Sequence, residues 1–146
     1  MDWRDASIGG QVNPGWEPLV DELHAKVLEI DPNVHVAQVK EKFGGLRYYF
    51  DTDLLEGYDK IAAIVDEYEA RSYKTCEVCG STEAVETGGF GHGWVNSLCP
   101  VHRKIREEEG TSAWRIAANE KDRRSRQFDA FTGTFETPRD EDRKDA

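Results

Sequence analysis

Cys76-Glu77-Val78-Cys79-Gly80 and, further along, Cys99-Pro100-Val101-His102 are the stretches that decide how this chain folds. Together they use all three cysteines and one of the four histidines. A Cys-x-x-Cys pair closes on one ion because both thiolates can point inward from a tight turn, and Gly80 supplies the positive-φ position such a turn favours. Cys99 and His102 lie one turn apart at the start of an expected helix continuing through Arg103-Lys104-Ile105-Arg106, so both face the same ion. Four protein ligands complete a tetrahedron and leave no position for water or substrate, which marks a structural rather than a catalytic zinc. Three cysteines cannot all pair within one chain, and a Cys76–Cys79 disulfide would close too small a loop to stabilise much. We therefore expect Cys76, Cys79, Cys99 and His102 to hold one structural Zn(2+), with His92 as an alternative fourth ligand of poorer spacing. Zinc binding of about 10–16 kcal/mol at finger-type sites rivals the ~5–15 kcal/mol stability of a whole domain. Folding of this half should depend on the metal.

Working outward from the metal motif, the preceding residues read as a small α+β layer. Trp16, Val20, Leu23, Val27 and Ile30 form one stripe of an amphipathic helix, Pro18 suits its first turn, and Asp31-Pro32-Asn33 ends it. Val34 to Val39 and Leu46 to Phe50 alternate and are rich in β-branched and aromatic residues, which predicts an antiparallel hairpin around Lys40 to Gly45. Leu46, Tyr48 and Phe50 would share one face. Leu54, Tyr58, Ile61, Val65 and Tyr68 repeat the helical stripe. After the cysteine knuckle, Glu83 to Thr87 and Trp94 to Ser97 read as short strands, Gly110 as a helix stop, and Ala113 to about Arg124 as a further helix. The predicted fold is α+β: a helix–β-hairpin–helix layer, then a zinc module, then a helical and irregular C-terminal extension. The expected divisions are a flexible leader over 1–13, the α+β layer over 14–73, the zinc-binding module packed on it over 74–109, and a helical then largely disordered tail over 110–146.

The formal charge of −10 narrows the classes of partner, because −9 of it falls within residues 1–119. Clustered Lys and Arg that neutralise phosphate are not the theme of this body, so non-specific nucleic-acid binding is disfavoured. No apolar run suits a signal peptide or a bilayer span, and paired cysteines used for metal suit a reducing compartment, so a soluble cytoplasmic protein without membrane partners is expected. The sequence leaves the oligomeric state open.

Three segments together carry a resemblance. Gly15-Trp16-Glu17-Pro18-Leu19-Val20, then Gln38-Val39-Lys40-Glu41-Lys42-Phe43-Gly44-Gly45-Leu46-Arg47-Tyr48, then Thr75 to Gly80 with Gly93-Trp94 and Leu98-Cys99-x-x-His102, resemble an uncharacterised family of small bacteriophage and prophage proteins. The likeness covers roughly residues 14–105 and implies a phage or prophage accessory protein acting in the host cytoplasm. The zinc motif itself resembles a treble-clef finger. It is also similar in kind to endonuclease VII-type phage nucleases, whose chemistry needs an Asp-His pair between the two zinc pairs. Here that interval offers only His92, preceded by Gly91.

Neither a nucleophile with a base nor a phosphate loop stands out. The leading expectation is a non-enzymatic zinc-stabilised protein that binds a host or phage macromolecule, most plainly a protein. Candidate contact residues are Lys40, Lys42, Phe43 and Arg47 on the hairpin and Phe128, Phe131 and Phe135 in the tail. One alternative is a nucleic-acid-binding treble-clef protein or relict nuclease, which would need Arg103, Lys104, Arg106, Arg115, Arg123, Arg124 and Arg126 to form a basic stripe. Another is an acidic mimic of nucleic acid that blocks a host DNA-binding protein.

Overall fold

A computed structural model of the chain describes residues 1–120, and expectations placed on residues 121–146, including Phe128, Phe131 and Phe135, lie outside it. The mixed α+β class expected from the sequence is what the structure has. One short strand and two helices flank a central hairpin, and a second, two-stranded sheet follows. β1 (Gly9–Gly10) precedes α1 (Glu17–Ile30), β2 (His35–Lys42), β3 (Gly45–Asp51) and α2 (Gly57–Ser72), and β4 (Glu86–Gly88), β5 (Asn96–Leu98) and α3 (Pro100–Glu109) complete the half that carries the cysteines. Residues 113–120 are again helical.

Hydrophobic stripes dictate the packing of the first half. Trp16, Val20, Leu23 and Val27 are fully buried against Val36, Val39, Leu46 and Tyr48 of the sheet and against Ile61 and Tyr68 of α2. Both helices thus cover one sheet, which is how a layer of this size hides its apolar faces. α1 stops at Asp31, whose carboxylate receives the backbone N–H of Asn33.

The hairpin differs from expectation in two places. Its strands run closer to the bend than the sequence suggests, leaving only Phe43 and Gly44 as the turn. Both residues have positive φ, 54° and 81°, the conformation that lets a two-residue turn match the twist of its strands. A register shift between Val36 and Gln38 inserts Ala37 as an extra residue. That bulge resets the alternation, so Val36 and Val39, three apart, both face the core.

The opening residues, expected as a loose leader, are part of the fold. Trp3 is 2 % exposed and its indole donates to Asp21 of α1 at 2.8 Å. β1 pairs with β2 in parallel, Gly9 opposite Gln38 and Gly10 opposite Val39, with Ser7, Ile8 and Gln11 donating to carbonyls of β2. A parallel pair needs a long crossover, and α1 supplies it. Two glycines carry no side-chain pattern that would announce a strand. Gly10 must be glycine, because a Cβ there would lie 2.1 Å from the Trp3 carbonyl.

Candidate metal centre

The knuckle turns as its sequence dictates. Gly80 has φ 81°, and its N–H donates to the Cys76 carbonyl at 2.9 Å, closing the loop so that Cys76 and Cys79 face the same point. Cys99 sits just before α3 and His102 within its first turn, and Pro100 supplies the fixed φ that starts the helix. α3 ends at Gly110 in the left-handed conformation, as expected of a C-terminal glycine.

These elements gather Cys76, Cys79, Cys99 and His102 so that one ligand atom from each lies within 4.8 Å of the others. Cys79 Sγ is 3.8 Å from Cys99 Sγ, and His102 Nδ1 is 3.6 Å from Cys76 Sγ and 3.2 Å from Cys99 Sγ. A tetrahedral ion with ordinary zinc bond lengths sets edges of about 3.8 Å between sulfurs and about 3.5 Å between sulfur and nitrogen. The donor set and its spacing therefore fit a four-coordinate metal, and all three cysteines are free thiols. Cys76, Cys99 and His102 are buried, while Cys79 is exposed. Hydrogen bonding to Cys76, Glu120 and Cys99 pushes the His102 imidazole up to about 9 against burial, and His102 lowers the Cys99 thiol although burial opposes it. His92 stands apart from this cluster, its Nε2 placed 3.1 Å from the Glu107 carbonyl.

Two groups around the centre escaped the sequence reading. Glu120 Oε1 lies 3.0 Å from His102 Nε2, leaving Nδ1 to face the thiolates. Glu77, between the two knuckle cysteines, is fully buried. Its carboxylate accepts from Asn13 Nδ2 at 3.0 Å, Asn96 Nδ2 at 3.1 Å and the Ser97 N–H at 2.7 Å. Burial pushes its pKa up to about 7 although Ser97, Asn96 and Asn13 favour the charged form. Asn96 Oδ1 in turn accepts from Arg106, which is 1 % exposed and also donates to the Trp94 carbonyl at 2.7 Å. A Glu-Val dipeptide inside a knuckle gives no periodic pattern from which this burial could be read.

The metal half is keyed to the sheet by backbone contacts. The Gly15 N–H donates to the Glu77 carbonyl at 2.8 Å, Trp16 Nε1 to the Thr75 carbonyl at 2.8 Å, and Ser97 Oγ to the Gly44 carbonyl at 2.7 Å. A Cβ on Gly15 would fall 2.3 Å from the Cys76 carbonyl, and one on Gly45 equally close to the Tyr73 ring.

The hairpin residues singled out from sequence divide between inner and outer roles. Arg47 pairs with Glu69 at 2.8 Å and is half-buried, so it serves the contact of β3 with α2. Lys42 reaches over the ring of Phe43, and Phe43 is 67 % exposed. Trp94 and Trp114, not among the contact candidates drawn from sequence, are 79 % and 55 % exposed. Of the basic residues named for a nucleic-acid interface, the structure describes four, and Arg115 among them is exposed. Arg106 is buried, Arg103 pairs with Glu86 at 3.1 Å, and Lys104 stands 3.9 Å from Glu108. Among the described residues no helix is long and apolar enough to cross a membrane. No protein-family model, curated protein or solved structure matches the chain.

Proposed function

We propose that this chain is a non-enzymatic, zinc-stabilised protein that binds a host or phage protein, as an accessory factor of a bacteriophage or prophage working in the host cytoplasm. The observation that carries the reading is the exposure of three large rings, Phe43, Trp94 and Trp114, on segments joined to a closed four-ligand cluster. Aromatic rings with little conformational freedom are the usual anchors of protein interfaces. Three thiolates and one imidazole favour zinc over harder cations, and four protein donors leave the ion no open position for chemistry. The phage context rests on the sequence resemblance of residues 14–105. The acidic body and the engagement of Arg103 and Arg106 within the fold speak for a protein partner over nucleic acid.

The test is affinity capture from the native host with the metal-loaded full chain, beside the double variant W94A/W114A. A stoichiometric protein retained by the wild type and lost with the variant supports the proposal. Retention of nucleic acid instead, released by moderate salt, or capture that ignores both tryptophans, overturns it.

A further inference from the structure

Two clefts lie side by side on the face that carries the exposed tryptophans. The larger, about 470 Å³, runs along β1 and β2, and the smaller, about 300 Å³, is bounded by Trp94, Val95, Asn96, Ala113 and Trp114. Glu41 and Trp114 line both. Lys40 lines only the larger.

Glu41 is the unusual group here. Its carboxylate is half-buried and accepts the Gly44 N–H at 2.6 Å, yet it forms no ion pair among the described residues. Arg47, whose charge reaches Glu41, bonds instead to Glu69, Arg103 pairs with Glu86, and Lys40 beside Glu41 lines only the larger cleft. Glu77, buried behind Asn96, adds a second carboxylate close enough to repel Glu41, and Arg106 on the far side of Asn96 offsets one of the two. Glu41 is thus left with no cation bonded to it among the described residues, at the edge of a cleft whose walls include two indoles. Indole faces attract cations, and a desolvated carboxylate gains most from a partner that brings its own positive charge.

We propose that the smaller cleft receives a cationic side chain, an arginine or lysine presented by a protein partner, with its charge against Glu41 and its alkyl stem against Trp94 and Trp114. The chemistry of all three residues is used at once: the carboxylate for the charge, the indoles for the stem and for cation–π attraction. The overall charge of −10 draws a basic segment toward this face from a distance. The inference rests on the protein-binding reading above and names the kind of residue such a partner contributes.

The test uses the metal-loaded full chain and two short peptides, acetyl-Gly-Arg-Gly-amide and its uncharged citrulline counterpart. The indole N–H resonances of Trp94 and Trp114 are followed as each peptide is added, up to on the order of 10 mM, the range of single-side-chain affinities. Saturable shifts of both indoles with the arginine peptide are expected, weakened about tenfold in E41Q and in W114A and absent or tenfold weaker with citrulline. E41Q keeps an oxygen for the Gly44 N–H, and the solvent-facing position of Trp114 makes its truncation tolerable. Equal shifts with citrulline, or no shift with either peptide, overturn the inference. A captured partner that binds wild type and E41Q alike would also overturn it while leaving the broader protein-binding reading standing.

Discussion

His102 Nε2 is 3.0 Å from Glu120 Oε1, although the two residues belong to different helical stretches separated by the left-handed turn at Gly110. The contact sets the imidazole so that Nδ1, not Nε2, meets the three thiolates. Carboxylates that orient a metal-bound histidine typically contribute 10–100-fold in affinity. E120A should therefore weaken metal binding by about that factor, with E120Q intermediate because its amide oxygen still accepts the ring proton. Competition with a chromophoric chelator measures both, and an E120A affinity within twofold of wild type would sink the assignment.

Removal of the metal should release the cysteine half of the molecule. About one zinc per chain is expected by elemental analysis, lost in C76S and C99S, whose thiols are buried in the cluster. Chelator should lower the unfolding midpoint and increase the accessibility of all three thiols to a thiol reagent. Unchanged stability after verified metal removal would contradict the coupling of metal to fold.

The ligand cluster and the two long helices were legible in the sequence because each is announced by residues that interact locally. Cys-x-x-Cys spacing, the glycine after it, the proline that opens α3 and the glycine that ends it are all read within one turn. Groups whose roles depend on distant partners were not legible. Glu77 looks like any polar knuckle residue until Asn13 and Asn96 converge on it from opposite ends of the chain. Gly9 and Gly10 form a strand only because β2 offers its edge, and Ala37 becomes a bulge only when β3 fixes the register. Arg106 looked like part of a surface stripe, yet the helix turns it inward to Asn96.

Glu77 should give stability a distinctive pH dependence. Its folded pKa, raised by burial to about 7, lies above the ordinary value of 4.5, so the folded chain holds this proton more tightly than the unfolded chain. The resulting contribution is fully present below about pH 4.5 and fades as the pH rises through about 7, by at most about 3 kcal/mol. E77Q lacks that proton and also loses hydrogen-bond geometry, so it should be less stable than wild type in mild acid. The gap should narrow toward about pH 8. Denaturant midpoints of both proteins between about pH 6 and 8, where zinc stays bound, check the slope, and a constant gap would contradict it.

G15A should destabilise the seat of the cysteine knuckle on the turn before α1, and G45A the contact of β3 with the end of α2. The added methyl meets the Cys76 carbonyl in one case and the Tyr73 ring in the other, both at 2.3 Å. Overpacking of this kind costs about 1–3 kcal/mol, with G15A the more severe because backbone cannot swing aside as a ring can. Chemical denaturation measures the order, and a neutral G15A would show that the knuckle is not seated against Gly15 as described.

The contacts that close each part of this molecule share a direction in time. β1 must wait for β2, the Trp16 indole for Thr75, the Gly44 carbonyl for Ser97, and His102 for Glu120. During synthesis each element therefore leaves the ribosome before the residue that completes it. A nascent chain that has not yet reached Glu120 carries its cysteines with their histidine unsupported.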